Sequence, residues 1–171
     1  MSNEAVFLNF STSQLRTLAG RIGVCLDKLT PEQVWLRHSQ SENAVGNLVL
    51  HLCGNLRQWI GTGVAGLPDI RVRDKEFAER EGPQPAELKQ RLTAAVEEAA
   101  AIIGALTPER LAETITVQSR TMPCLEAVYH VVEHFSQHAG QIMFATKLYT
   151  SEDLGFFRHL SGSQAARTSK P

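Results

Sequence analysis

Apolar residues recur every three or four positions through most of this chain, a spacing that puts them on one face of a helix. The clearest case runs from Leu88 to Leu106, where alternating steps of four and three residues draw a narrow apolar seam on an otherwise charged segment. Because that seam is apolar along its whole length, it predicts a helix that packs against other helices.

Three further segments share this helical spacing and have recognisable helix boundaries. They run from about Phe7 to Leu29, from Ser39 or Ser41 to Gly61 or Gly63, and from about Pro123 to Tyr149. Four helices with short to medium connections predict an all-α, four-helix bundle, in which ligand sites are built from side chains on facing helices. At 171 residues with 43% hydrophobic residues, the chain is long enough for one such domain, which we place at residues 1–160.

The segments between the predicted helices are less regular. "LTPEQ" predicts a short helical turn with Thr30 as its N-cap and Gln33 completing a capping box. Residues 61–85 form a connection longer than usual between helices, so it either folds locally or has a role. Within it, we interpret "RVRDKEF" as a solvated loop, the alternative being that its alternating charges pair. "ETITVQ", residues 113–118, predicts a short extended piece without an obvious partner. "SGSQAARTSKP", residues 161–171, has the composition of a disordered tail.

Charge and cysteine content exclude several classes of protein. Seventeen basic residues against eighteen acidic ones give a formal net charge of -1, so the chain has no large positive field that would favour nucleic-acid binding. The N-terminus does not resemble a secretory signal, and no apolar run reaches the roughly 18 residues of a membrane span. We therefore expect a cytoplasmic protein that does not bind membranes. Three scattered cysteines indicate neither a disulfide framework nor a cysteine metal site.

The stretch "HVVEHFSQHAGQI" on the last predicted helix contains two overlapping metal-binding patterns. His130, Glu133 and His134 match the H-x-x-E-H pattern of inverted zinc peptidases, in which two histidines bind zinc and the glutamate is the base. His134 and His138 form a second pair at i, i+4, which would need a third ligand from elsewhere in the chain.

A helical wheel favours the second pair. At about 100° per residue, His138 lies closer than His134 to the apolar face of its helix, whereas His130 lies farther from it. His51 occupies an equivalent shoulder position on the second predicted helix. Packing the two apolar faces together predicts a three-histidine site of His51, His134 and His138 with open coordination positions. The alternative from the residues alone is a polar helix edge that hydrogen-bonds to its neighbours.

"VVEHFSQHAGQI", together with the upstream "NLVLHLCGNLRQWI", resembles the DinB/YfiT-like superfamily of four-helix, metal-dependent proteins. The resemblance extends to about Leu160, and its most specific piece is H-x-x-x-H-x-G-Q, which begins at His134. It implies a bundle of the DinB/YfiT-like type with short extra turns, and a divalent metal held by His51, His134 and His138. It also disfavours the peptidase interpretation, since Glu133 points away from the apolar face and only Glu152 and Asp153 follow as acidic third ligands.

The resemblance implies one of two functions. The first is a metal-dependent hydrolase or thiol-dependent S-transferase, in which a zinc, nickel, iron(II) or manganese ion activates water or a low-molecular-weight thiol. The second is a non-catalytic, stress-associated metal-binding module that acts as a homodimer. Asn55, Gln58 and Gln141 are candidates to support the ligands from outside. The sequence places no carboxylate beside the ion, so it identifies no general base.

Overall fold

The structure, a computed structural model, describes residues 1–160. Its helices are α1 (Asn3–Lys28), α2 (Pro31–Val34), α3 (Val45–Leu56), α4 (Arg73–Ala78), α5 (Pro85–Gly104), α6 (Pro108–Ala112) and α7 (Cys124–Thr150). A π-helical extension, Arg57–Val64, continues α3, and strands β1 (Thr114–Val117) and β2 (Arg120–Pro123) form a hairpin. The four long helices form the predicted all-α bundle, in which α1 and α3 each pack against both α5 and α7.

The core of the bundle is made of the apolar faces that the sequence periodicity predicted. On α5, Leu88, Leu92 and Ala99 are buried, and the same helix also buries Val96 and Ile103. Large side chains from the other helices fill the centre of the bundle, among them Leu15, Ile22, Leu52, Trp59, Phe135 and Ile142. The core therefore lies directly beneath the helix edges on which the histidines were predicted.

Two predicted helix starts have different outcomes. Thr30 caps α2 as predicted, and Gln33 completes the capping box. The predicted start of the second long helix at Ser39 or Ser41 is wrong, because α3 begins at Val45. The two serine hydroxyls lie 3.0 Å apart in a turn and bond to each other instead of capping a helix. The side-chain oxygen of Asn47 accepts the backbone N–H of Ala44 and so caps α3 from inside the helix.

The interpretation of "RVRDKEF" as a solvated loop is wrong, because most of it lies in α4 and Arg71 pairs with Glu76. The connection between α3 and α5 folds locally, as one of the two expectations for it stated. It contains α4 and is anchored on Asn47, which is fully buried and donates to the backbone carbonyls of Glu76 at 2.8 Å and Glu79 at 3.0 Å. Arg37 reinforces this anchor with hydrogen bonds to the Asn47 side-chain oxygen at 2.6 Å and to the carbonyl of Phe77 at 2.9 Å. Buried contacts thus hold α4 against the start of α3.

The extended piece "ETITVQ" does have a partner. Its strand β1 pairs antiparallel with β2, so that Ile115 lies opposite Met122 and both side chains are buried. Gln118 and Ser119 connect the strands with positive φ values of 50° and 59°, as a two-residue hairpin turn requires.

No described helix is both long enough and apolar enough to cross a membrane. The predicted tail, 161–171, lies outside the described residues, and the domain boundary at residue 160 stays a prediction.

We expect Asn47→Ala to lower the free energy of unfolding by about 1–3 kcal/mol, because it removes the side-chain donor to the half-buried carbonyls of Glu76 and Glu79 and the acceptor of the Arg37 guanidinium. Urea unfolding followed by circular dichroism measures the change. Asn43→Ala removes an exposed asparagine four residues earlier and serves as the matched control, with an expected change within about 0.5 kcal/mol. Equal stabilities for the two variants would contradict the anchoring role.

Candidate metal centre

Three histidines from two helices meet at the edge of the core. His51 lies buried on α3, and His134 and His138 lie half-buried one helical turn apart on α7. The Nε2 atom of His134 is 3.1 Å from Nε2 of His51 and 3.2 Å from Nε2 of His138. One ligand atom from each of the three rings lies within 4.8 Å of the others. The structure therefore brings together the three residues that the sequence predicted.

The spacing of these nitrogens suits a metal ion. Zinc–nitrogen bonds of about 2.0–2.1 Å in tetrahedral geometry separate two ligand nitrogens by about 3.3 Å. The observed 3.1 and 3.2 Å are close to that separation. Three unprotonated Nε2 atoms would repel one another at this distance, and a shared cation between them would turn the repulsion into coordination. This three-histidine group could thus hold a divalent ion.

The outer nitrogens of two of the rings have oxygen partners. The Nδ1 atom of His51 is 3.0 Å from Oε2 of Glu76, and Nδ1 of His138 is 2.7 Å from Oε1 of Gln141. If each Nδ1–H donates to its oxygen, the lone pair of each ring lies on Nε2 and faces the common centre. The Nδ1 atom of His134 is buried without a partner among the described residues.

Glu76 belongs to a buried ion pair. The Arg71 guanidinium donates from Nε to Oε1 at 2.7 Å and from Nη2 to Oε2 at 2.8 Å, a two-point contact. The side chains of Arg71 and Glu76 are 3% and 11% exposed. Burial alone raises the pKa of the Glu76 carboxyl, but hydrogen bonds from Arg71 and His51 outweigh burial and hold that pKa below its usual value. Glu76 is thus a carboxylate at neutral pH.

The surroundings also favour the neutral form of two of the three histidines, His134 and His138. Burial lowers the pKa of His134 to about 3, and repulsion from His138, His51, His130 and Arg71 adds to this effect. Burial likewise lowers the pKa of His138, although its hydrogen bond with Gln141 opposes the shift. Since only an unprotonated imidazole binds a metal, both side chains are in the ligating state at neutral pH.

A family model described as a protein of unknown function (DUF1572) matches residues 2–164, nearly the whole chain. This chain belongs to the DUF1572 family. None of the curated proteins matches it.

Solved structures share the fold of this DUF1572 protein. A conserved protein from Enterococcus faecalis aligns with a TM-score of 0.70 and 16% identity, over 84% of this chain and 97% of the other. A DinB-like protein from Bacillus subtilis aligns with a TM-score of 0.66 and 16% identity, over 86% and 96%. The mycothiol-dependent maleylpyruvate isomerase aligns with a TM-score of 0.61 and 18% identity, over 79% of this chain and 60% of the enzyme. These findings confirm the fold predicted from the sequence, an all-α bundle of the DinB/YfiT-like type.

The residues of the H-x-x-E-H pattern do not form a peptidase-like zinc site in this DUF1572 protein. His130 packs its ring against Trp59 with 4.3 Å between ring centroids, and Glu133 is exposed to solvent. The two acidic residues that follow are engaged elsewhere, since Glu152 pairs with Lys28 and Asp153 pairs with Arg158. His130 therefore stands beside the three-histidine group as a neighbour of His134, at 5.8 Å between ring centroids.

The amide candidates have three different positions. Gln141 bonds directly to His138, as described above. Gln58 instead accepts from Nη1 of Arg71 at 3.0 Å and so lies one step farther out. Asn55 is buried on α3, and no hydrogen bond joins it to the three histidines. Sequence analysis missed Glu76 and Arg71, whose only signal was the alternating charge of "RVRDKEF" in the long connection.

We expect acid to destabilise the metal-free protein through His134. Its pKa is about 3 in the folded state against an ordinary value of 6.5, so the unfolded state binds more protons between these values. The free energy of unfolding therefore falls as pH drops below about 6.5. Urea unfolding in a chelator at about pH 7.5 and about pH 5 measures the loss. His134→Gln, which cannot titrate, should lose less stability over the same interval, and an identical loss would contradict this role.

Proposed function

We propose that this chain binds one divalent metal ion through His51, His134 and His138 and uses it as a metal-dependent hydrolase or thiol-dependent transferase. The observation that carries the proposal is the convergence of three Nε2 atoms, with 3.1 and 3.2 Å separating the central atom from the other two. Two of the three rings also have oxygen partners on Nδ1, the arrangement that orients histidine ligands in metal sites.

Three neutral imidazoles would leave the full charge of the ion uncompensated. A divalent ion bound in this way lowers the pKa of a coordinated water or thiol and so supplies a nucleophile at neutral pH. Zinc, nickel, iron(II) and manganese all accept imidazole ligands, and the donor set alone does not select among them. The chain's own contribution is to fix the three rings and to keep His134 and His138 unprotonated.

A small thiol is the better-supported nucleophile. The Glu76 carboxylate contacts His51, and Arg71 and His51 already occupy its oxygens. Glu76 is therefore not free to accept a proton from a bound water. A thiol needs no general base to become a nucleophile near neutral pH, since its pKa in solution is near 8.5 and a metal lowers that pKa further. The name of the mycothiol-dependent isomerase, a structure that this chain resembles in fold, adds support for a low-molecular-weight thiol.

The metal content of untagged protein tests the site. We expect the wild type to hold about one equivalent of a divalent ion after purification or reconstitution, measured by plasma mass spectrometry. His51→Ala, His134→Ala and His138→Ala should each lose most of it, because two remaining imidazoles bind an ion weakly. His130→Ala is the matched control, since it removes a histidine of the same helix whose ring packs on Trp59, and it should retain the ion.

Two results would count against the three-histidine site. A wild type that stays metal-free after reconstitution would overturn metal binding altogether. Loss of the ion in His130→Ala but not in His138→Ala would instead assign the site to the other histidine pair.

X-ray absorption of the zinc-loaded protein tests the thiol. On addition of glutathione as a representative monothiol, we expect a sulfur neighbour at about 2.3 Å from zinc, beside nitrogen neighbours at about 2.0–2.1 Å. The spectrum of protein without thiol is the control. An unchanged spectrum at saturating glutathione would contradict an open position for such a thiol.

That negative result would favour the second candidate, a non-catalytic metal-binding module acting as a homodimer. The observation on its side is a set of exposed apolar side chains on the outer face of α7, including Tyr129, Phe144 and Leu148. Exposed apolar side chains concentrated on one helix are typical of contacts between subunits. A structural site would have its fourth position closed by the protein, whereas a catalytic site keeps it open.

A further inference from the structure

Two charged side chains, Glu76 of α4 and Arg71 just before it, contact Nδ1 of His51, the ring nitrogen that faces away from the other two histidines. The Glu76 carboxylate contacts Nδ1 of His51 at 3.0 Å, and the Arg71 guanidinium contacts the same nitrogen at 3.0 Å through Nη2. The side chain of His51 is itself only 7% exposed, so these contacts are shielded from solvent. The two stretches that contain the three histidines, "NLVLHLCGNLRQWI" and "VVEHFSQHAGQI", include neither Arg71 nor Glu76.

The two contacts on Nδ1 require opposite protonation. A carboxylate can only accept a hydrogen bond, so contact with Glu76 requires a proton on Nδ1. A guanidinium can only donate, so contact with Arg71 requires a lone pair on Nδ1 and moves the proton of the neutral ring to Nε2. The first tautomer directs the lone pair of Nε2 towards His134 and His138. The second blocks Nε2 as a metal ligand.

α3 is shaped to admit the carboxylate. Gly54 lies three residues after His51, and a Cβ atom built on it would be 1.9 Å from Oε1 of Glu76 and 2.9 Å from Nε of Arg71. A glycine inside a helix costs about 1 kcal/mol relative to alanine. Any side chain at position 54 would displace the ion pair. The close approach of Glu76 to α3 therefore explains why a glycine stands inside this helix.

We propose that Glu76 is a positioning residue that holds His51 with its proton on Nδ1 and its Nε2 lone pair on the metal, and that Arg71 fixes the carboxylate in place. This inference rests on the proposed metal site. Arg71 has two effects in this arrangement. It supports Glu76 with a two-point contact while the carboxylate is present. Its Nη2 atom, already 3.0 Å from Nδ1 of His51, is the charged donor that remains beside Nδ1 when the carboxylate is removed.

The tautomer of His51 is measured first, in metal-free protein, by long-range ¹H–¹⁵N correlation spectra of the histidine rings. We expect the proton on Nδ1 in the wild type and on Nε2 in Glu76→Ala, where Arg71 becomes the only charged partner of Nδ1. Asp74→Ala, which removes an exposed carboxylate of the same short helix, should keep the wild-type tautomer. A proton on Nε2 in the wild type, or no change in Glu76→Ala, would overturn the inference.

Zinc affinity is measured next by competition with a chromophoric chelator. Glu76→Ala should weaken zinc binding by about 10- to 100-fold. Adding Arg71→Met to Glu76→Ala removes the competing donor and should recover part of that loss. A role limited to holding the segment in place predicts no recovery, because the double variant has lost both anchoring side chains, and that result would overturn the inference.

Gly54→Ala provides an independent route to the same effect without touching either charged residue. It should weaken zinc binding in the same direction as Glu76→Ala, because the new Cβ displaces the carboxylate. Gly20→Ala, inside α1 with open space around the added Cβ, is the matched helical control and should leave zinc affinity unchanged. Equal affinities for the two glycine variants would contradict the role given to Gly54.

The results separate the inference from the function on which it rests. If the wild type binds no zinc, the metal site fails, and the positioning role fails with it. If the wild type binds zinc tightly and Glu76→Ala binds it equally well, the metal site stands and only the positioning role is overturned.

Discussion

The packing of α3 against α7 is the contact on which the rest of this structure depends. Both helices bury an apolar face, with Leu52 on α3 and Phe135 on α7 among the fully buried side chains. Burial of such faces is the main favourable contribution to folding, and it leaves little freedom in how the two helices are rotated. The polar edges of the two faces must then meet. His51 and His134 meet there, with their Nε2 atoms 3.1 Å apart.

Burying polar groups at this edge costs solvation free energy, and hydrogen bonds with neighbouring side chains compensate for much of it. Buried imidazoles and a buried ion pair lose solvation, and each needs a partner to make up for it. Glu76 and Arg71 satisfy each other and His51, while Asn47 and Arg37 hold the backbone of their segment. Not every buried polar atom of the described part of the chain is satisfied in this way, since Nδ1 of His134 and Nε of Arg37 have no partner there.

The shared fold and the local site carry different information. The structural neighbours have 16–18% sequence identity to this chain, so they establish the architecture and leave the chemistry open. Chemistry has to be argued from the residues at the site. A cavity of about 350 Å³ between α3 and α5 is lined by Cys53 and Arg91, among others, and by none of the three histidines. Burial raises the pKa of the Cys53 thiol to about 12, so this side chain is a protonated thiol at neutral pH.

The sequence by itself determined the four long helices and the three histidines, because both depend on periodicity within single helices. Apolar spacing fixed which face of α7 is buried, and with it the positions of His134 and His138 relative to the core. Only the tertiary structure decided the surroundings of His51. Glu76 lies 25 residues along the chain, and its approach depends on Gly54 and on the anchor at Asn47. Contacts of this kind leave no periodic signal, since they arise only after the helices have packed and a connecting segment has folded back onto them.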